Sequence, residues 1–237
     1  MAKKGFSAVE SMISLALFLM IVMAVFEVLD LARGFFVKLK KAEEETQAAM
    51  AALDKMRIDL LQAGSGLSQA IRLGIAEGIR LSEEELTIFS LQETLSISED
   101  LLPGTQRIIL DAVAEMGPGR EICFINGHRG ERQSISACEG KTIIVASPLE
   151  FSYRKDKTQL LLLEKISLYL DKGRNTIRRR VNSSSPQPLL DDVHSFGFDF
   201  ERGNNLAGVN FVLKANKEKI YEVFVFPKNT ALCLKHS

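Results

Sequence analysis

The 237-residue sequence has no tryptophan, only three histidines, and equal numbers of basic and acidic side chains, which cancel to a formal net charge of zero. A nucleic-acid-binding surface needs a clustered basic excess, so this balance argues against DNA or RNA as a partner. The histidines are scattered, and no Ser-centred elbow, HExxH motif or phosphate-binding glycine loop occurs. We therefore expect no catalytic residues, no metal site and no cofactor.

One long apolar run lies close to the N-terminus, from Phe6 to Phe26, with Glu10 as its only charge. A helix of that length spans roughly 30 Å, which matches the hydrocarbon core of a bilayer. The run is apolar on all sides, as expected for a helix surrounded by lipid. A cleaved secretory signal and a buried core helix are the alternatives, but no small-x-small cleavage site follows the run. The pattern predicts a membrane span that stays in the mature chain.

Lys3, Lys4 and Gly5 precede this run, Phe6 begins it, and Glu10 follows four residues later. The arrangement resembles the type III signal of type IV pilins and type II secretion pseudopilins. The resemblance implies that a prepilin peptidase cuts between Gly5 and Phe6, and that the new N-terminal residue is methylated. It further implies an inner-membrane assembly platform, other major and minor pilins or pseudopilins, and membrane lipid as partners.

The charges that flank the span give a mixed signal about its orientation. Two lysines precede it, whereas four basic residues follow it: Arg33, Lys38, Lys40 and Lys41. Basic residues counted alone favour the opposite topology. Acidic residues are interleaved with those four, however, and the pilin resemblance implies a cytoplasmic N-terminus. We therefore expect a single-pass inner-membrane protein with an extracytoplasmic head, which later enters a pilus or pseudopilus.

Glu10 needs an explanation, because an ionised carboxylate inside an apolar span is costly. It lies about 6 Å along the helix axis from Phe6, so its side chain could reach the headgroup region. The resemblance implies a second role, since cleavage would leave a cationic amine on Phe6. Pairing of Glu10 with the N-terminus of a neighbouring subunit would neutralise both charges at low dielectric and set the stagger of a filament.

The helical pattern continues beyond the membrane, with residues 6–30 as the transmembrane part and 31–63 as the extracytoplasmic part. Apolar or small residues recur at spacings of three and four in the second part: Thr46, Met50, Leu53, Met56 and Leu60. No proline interrupts the helix, and Gly64-Ser65-Gly66 predicts its end. Residues 1–5 would be the leader peptide.

Residues 64–237 have the texture of a β-rich head, with short apolar runs separated by Gly, Pro and Asn. Candidate strands are Leu86–Ile97, Arg107–Val113, Glu121–Ile125, Thr142–Ala146, Leu149–Tyr153, Leu160–Leu170, Thr176–Val181, Ser195–Glu201, Gly208–Leu213 and Ile220–Phe226. The fold class expected is α+β, and the resemblance implies a pilin-like arrangement in which the long helix packs against an antiparallel sheet.

Part of the head carries a softer resemblance. Lys165–Asn229 resembles the C-terminal half of J-type pseudopilins and W-type minor pilins, through strands such as Ile166–Leu170 and Ile177–Arg180 and the segment Pro188-Leu189-Leu190. This resemblance implies a minor subunit in an initiating or tip complex. The single-pass, membrane-anchored extracytoplasmic binding or sensor domain is the alternative.

Two further groups of residues invite an interpretation. Cys123 and Cys138 flank a turn that would fold the chain into a hairpin, which favours a disulfide between them worth roughly 3 kcal/mol. Cys233 as a partner and three free thiols are the alternatives, while Cys123, His128 and Cys138 fit no zinc spacing. Arg178–Arg180 would point to both faces of a strand, which predicts a solvated sheet edge.

Overall fold

The computed structural model describes residues 8–113, 116–215 and 217–230. The chain divides after Met50 into two compact units. Helix α1 runs without interruption from Ala8 to Leu61, which confirms the predicted continuous helix over its described part. The fold is α+β, since the residues after α1 form mainly antiparallel strands.

Helix α1 ends at a glycine-dependent turn, close to the predicted stop. Gly64 and Gly66 both have φ of 72°, a left-handed conformation that other residues rarely adopt. The backbone N–H of Gly64 donates to the carbonyl of Phe89 at 2.8 Å, and that of Leu91 donates to the carbonyl of Ser65 at 2.8 Å. A Cβ on Gly66 would lie 2.5 Å from the Cβ of Leu91. The turn therefore brings the chain directly onto a strand of the head.

A short helix and twelve strands follow within the described residues. They are α2 (Ser68–Arg72), β1 (Ile79–Leu81), β2 (Glu85–Leu95), β3 (Arg107–Ile109), β4 (Glu121–Asn126), β5 (Arg129–Glu139), β6 (Thr142–Val145), β7 (Gln159–Asp171), β8 (Thr176–Val181), β9 (Gln187–Leu190), β10 (Val193–Glu201), β11 (Leu206–Leu213) and β12 (Ile220–Val225).

The strands form two antiparallel sheets. The larger has the order β1-β2-β7-β4-β5-β6-β3, with β8 added to β7 and β9 to β8, and the smaller has the order β10-β11-β12. Strand β7 is the centre of the larger sheet, because β2 pairs along one of its edges while β4 and β8 share the other. Side chains of β7 are buried on both of its faces, notably Leu160–Leu163.

Nine of the ten candidate strands coincide with observed strands, within a few residues at their ends. The predicted strand Leu149–Tyr153 is wrong, because its apolar residues hold a loop in the core and do not pair with a neighbouring strand. Leu149 and Tyr153 are buried, yet Tyr153 makes only an isolated bridge with Leu101. Strand β9 includes Pro188-Leu189-Leu190, a segment that is not among the candidate strands.

The last two turns of α1 pack into the second unit. Leu53, Met56 and Leu60 are buried, which confirms that part of the predicted apolar stripe. Met50, the last residue of the first unit, is 48% exposed and so does not follow the predicted apolar stripe. Of the five predicted stripe residues, Leu53, Met56 and Leu60 are the buried ones.

Asp59 joins the end of α1 to strand β8 through a buried ion pair. Its side chain is 1% exposed, and its two oxygens accept from Nε and Nη2 of Arg179 at 2.7 and 3.1 Å. Lys55 adds a third contact at 3.2 Å from its half-exposed ammonium group. A two-bond guanidinium–carboxylate contact fixes direction as well as distance, so this pair sets how the helix meets the sheet.

The prediction that Arg178–Arg180 form a solvated edge is wrong. Strand β8 lies between β7 and β9, and each of the three arginines contacts a carboxylate. Arg178 Nε donates to Asp171 at 2.9 Å, Arg179 pairs with Asp59, and Arg180 lies 3.7 Å from Glu85. The triplet joins β8 to neighbouring strands and to the end of α1, and β9 covers the edge of β8 that was predicted to be solvated.

We expect Asp59→Ala to lower the free energy of unfolding by about 3–5 kcal/mol, because Arg179 would keep its charge in a largely buried position without a counterion. Urea unfolding of the full chain in detergent, followed by far-UV circular dichroism, measures the loss. Lys55→Ala is the matched control and should cost less than about 1 kcal/mol. Equal losses in the two variants would contradict the assignment of Arg179 as the main partner.

Candidate membrane and assembly segment

The first unit is a helix whose surface is apolar. An 18-residue stretch of α1 is apolar enough to cross a membrane, and none of it is buried. Large apolar side chains are exposed from Val9 to Leu39, among them Met12, Leu15, Phe18, Leu19, Met23, Phe26, Leu31, Phe35 and Phe36. Exposed apolar area on this scale needs a partner such as lipid or another helix. The segment therefore has the length and composition of a single membrane anchor.

Glu10 lies in the first turn of α1, with its side chain exposed. A carboxylate there is favoured by the positive end of the helix dipole. The next charged residue, Glu27, is roughly 25 Å further along the axis. Sixteen uncharged residues therefore separate these two carboxylates along the chain. Lys3, Lys4, Gly5 and Phe6 lie outside the described residues.

Beyond the apolar stretch, the helix surface becomes charged. Lys40 and Glu44 approach to 3.8 Å, and Lys41 and Glu45 approach to 4.0 Å. Such exposed pairs, four residues apart on one helix, stabilise it by only about 0.3–0.5 kcal/mol each. Their main effect is on solvation, since a surface with both signs of charge belongs in water. Within the first unit, the surface of α1 therefore changes from apolar side chains, which favour lipid, to charged side chains, which favour water.

The expected disulfide between Cys123 and Cys138 is wrong. The two-residue turn between β4 and β5 pairs Asn126 with Arg129, and this register places Cys123 opposite Arg132. Cys138 lies six residues further along β5, a distance of roughly 20 Å along a strand. Cys123 belongs to the apolar cluster on one face of the sheet, whereas Cys138 packs against the cluster on the other. Cys233 lies outside the described residues.

Burial disfavours the charged form of the Cys123 thiol. It raises the pKa of this group to about 12, with the Arg132 charge opposing the shift. The thiolate, which is the reactive form, is therefore scarce at neutral pH.

We expect Cys123 to resist alkylation by iodoacetamide in the folded chain and to react quickly in urea. Mass spectrometry of the alkylated peptides measures both rates, and Cys138, which is half-buried, serves as the internal comparison. A Cys123–Cys138 peptide in a non-reducing digest would refute the register of the β4–β5 hairpin.

The other titratable candidates do not come together. His128 is exposed in the turn between β4 and β5, and His194 is exposed in β10. No group of three or more His, Cys, Asp and Glu side chains that could hold a metal ion occurs in residues 8–113, 116–215 and 217–230. The geometry that remains as a functional candidate is the apolar helix with its single early carboxylate.

No protein-family model matches this chain, and no curated protein matches it. The tailspike gp61 of Pseudomonas phage phi297 is similar over 31% of this chain and 14% of its own, with 14% identity and a TM-score of 0.28. The tailspike gp49 of Pseudomonas phage LKA1 has 19% identity over the same shares, also at 0.28. The endosialidase of phage phi92 aligns over 59% of this chain and 32% of its own, with 10% identity and a TM-score of 0.20. These partial likenesses indicate neither a shared fold nor a shared function.

Proposed function

We propose that this protein is a minor pilin or pseudopilin, cut between Gly5 and Phe6 and assembled from the inner membrane into a type IV pilus or type II secretion pseudopilus. The observation that carries the proposal is one juxtaposition. Lys3-Lys4-Gly5-Phe6 directly precedes an exposed apolar helix whose first turn holds Glu10. The motif supplies the processing site, and the helix supplies the surface that passes from lipid to neighbouring helices.

The physical logic of assembly follows from that helix. Its apolar side chains are solvated by lipid in the precursor and would be solvated by other subunits in the filament, so transfer between the two leaves little apolar surface in water. A carboxylate and a methylated amine are both costly in such surroundings, and they neutralise each other when they pair between subunits. Pairing therefore favours one axial register over the others.

The head supports a minor rather than a major role only through the resemblance of Lys165–Asn229 to J-type pseudopilins and W-type minor pilins. In this proposal the head contacts other minor subunits of an initiating or tip complex. The reaction partners are a prepilin peptidase and an inner-membrane assembly platform, and the protein itself is not an enzyme.

We expect the mature chain to begin at Phe6 when the full sequence is expressed with a prepilin peptidase. N-terminal sequencing and intact mass measure the loss of residues 1–5 and the addition of a methyl group. Gly5→Leu is the control, because a bulky side chain at the cleaved bond should leave the leader in place. An uncut Met1 in peptidase-competent cells would refute the proposal.

We expect Glu10→Ala to abolish or strongly reduce incorporation into filaments while membrane insertion is retained, because the variant loses the charge that pairs with the neighbouring N-terminus. Membrane fractionation and immunoblotting of sheared filaments measure the two steps. Glu27→Ala is the matched control on the same helix and should assemble normally. Normal assembly of Glu10→Ala would contradict the charge-pairing mechanism.

A membrane-anchored extracytoplasmic binding domain is the alternative function, favoured by the same apolar helix. It differs in one respect, since such a protein would keep residues 1–5 and would stay in the membrane fraction under conditions that assemble filaments. The N-terminal sequence of the mature chain therefore separates the two.

A further inference from the structure

The larger sheet contains a fork at the middle of β7. Strand β4 pairs with residues 159–162 of β7 and β8 pairs with residues 166–171 along the same edge. Residues 163–165 lie between these two pairings, and the Lys165 carbonyl still accepts from the backbone N–H of Asn182 at 2.7 Å. Arg120 Nη2 donates to the carbonyl of Leu163 at 2.9 Å, and the N–H of Lys165 donates to Asn182 Oδ1 at 2.8 Å. The two partner strands thus diverge around a gap that polar side chains fill.

The bulge in β2 contributes to the same gap from the other edge of β7. The register of β2 shifts between Leu91 and Glu93, which makes Gln92 the extra residue. Its side-chain oxygen accepts from Arg120 Nη2 and, at 3.5 Å, from Asn182 Nδ2. A bulge redirects a side chain that a regular strand would point elsewhere. Arg120 is therefore held by two acceptors that fix its position in the sheet.

A cavity of about 430 Å³ opens at this fork. Three cationic residues line it, namely Arg120, Lys165 and Arg180, together with Glu121 and the loop residues 183–185. The hydroxyl of Ser183 donates to the Pro118 carbonyl at 3.1 Å, which fastens this loop to the segment before β4. Ser184 and Ser185 also line the cavity. The volume is within the range of small-molecule sites, roughly 300–1,000 Å³.

The positive charge at the fork is only partly compensated. Arg120 is 9% exposed, and among the described residues its buried Nε has no hydrogen-bond acceptor. Burial lowers the pKa of Arg120, and the charge of Glu164 opposes this shift. An arginine that is desolvated and short of an acceptor favours a nearby anion.

Each carboxylate near the cavity already has a partner within the chain, and Glu85 offsets part of the Arg180 charge. Glu121 bonds Arg132, Glu164 accepts from Ser90 at 3.3 Å, and Glu85 lies 3.7 Å from Arg180. Low-dielectric walls concentrate the field of the remaining cations into the cavity.

We propose that the fork cavity binds a small organic anion, whose carboxylate or phosphate group is held by Arg120, Lys165 and Arg180 and by the hydroxyls of the 183–185 loop. The site is built entirely from the second unit and does not depend on processing of the N-terminus. A ligand that binds only the folded head would also stabilise it against unfolding.

Isothermal titration calorimetry of the full chain in detergent, with citrate and with inorganic phosphate as probes, tests this site. We expect saturable binding of at least one probe, with affinity reduced about tenfold in Lys165→Gln and in Arg180→Gln, the loss typical of one charged hydrogen bond. Lys172→Gln is the matched control, because this exposed lysine just beyond β7 pairs with Glu84 away from the cavity. Its affinity should equal that of the wild type.

Three outcomes would overturn the proposal. They are the absence of saturable heat with both probes, unchanged affinity in both cavity variants, and an equal loss in Lys172→Gln. Thermal unfolding of each variant without ligand separates a loss of binding from a loss of folding. Arg120 is left unchanged in the test, because its bond to the Leu163 carbonyl makes it part of the sheet.

Discussion

The ion pair between Asp59 and Arg179 is the contact on which the second unit depends. It is the point at which the last turns of α1 and a strand 120 residues away in the sequence become one packed body. A single carboxylate with 1% exposure would be costly alone, and two hydrogen bonds from one guanidinium remove most of that cost. The glycine turn that follows then brings the chain onto β2, through backbone hydrogen bonds of Gly64 and Ser65 with Phe89 and Leu91.

Local pattern predicted those features whose cause is local. The helix from Ala8 to Leu61 follows from an uninterrupted apolar and then striped sequence, and its end follows from Gly64 and Gly66, which take a conformation that other residues avoid. Most strands followed from alternation and turn residues. Strand β9 was missed because its pairing comes from β8, and Leu149–Tyr153 was mistaken for a strand because core burial and strand pairing leave the same apolar pattern.

Pairwise contacts were harder to predict than elements. The disulfide prediction failed on register, since a two-residue turn places Cys123 opposite Arg132 and sends Cys138 to the other face of the sheet. The arginine triplet was misread because its partners, Asp171, Asp59 and Glu85, are spread through the sequence. In contrast, the candidate processing site needs only the spacing of Gly5, Phe6 and Glu10, which the sequence states directly. The fork cavity needed both the β2 bulge and the divergence of β4 from β8.

The two units handle charge in opposite ways, and this difference suggests how their roles divide. Along the apolar part of α1, charge is nearly absent, since no residue between Glu10 and Glu27 is charged. In the head, charge is abundant but mostly consumed internally, as the three arginines of β8 show. Because the charged side chains of the head pair with one another, few of them attract a charged partner strongly. Arg120 at the fork is an exception, because its buried Nε has no hydrogen-bond acceptor among the described residues.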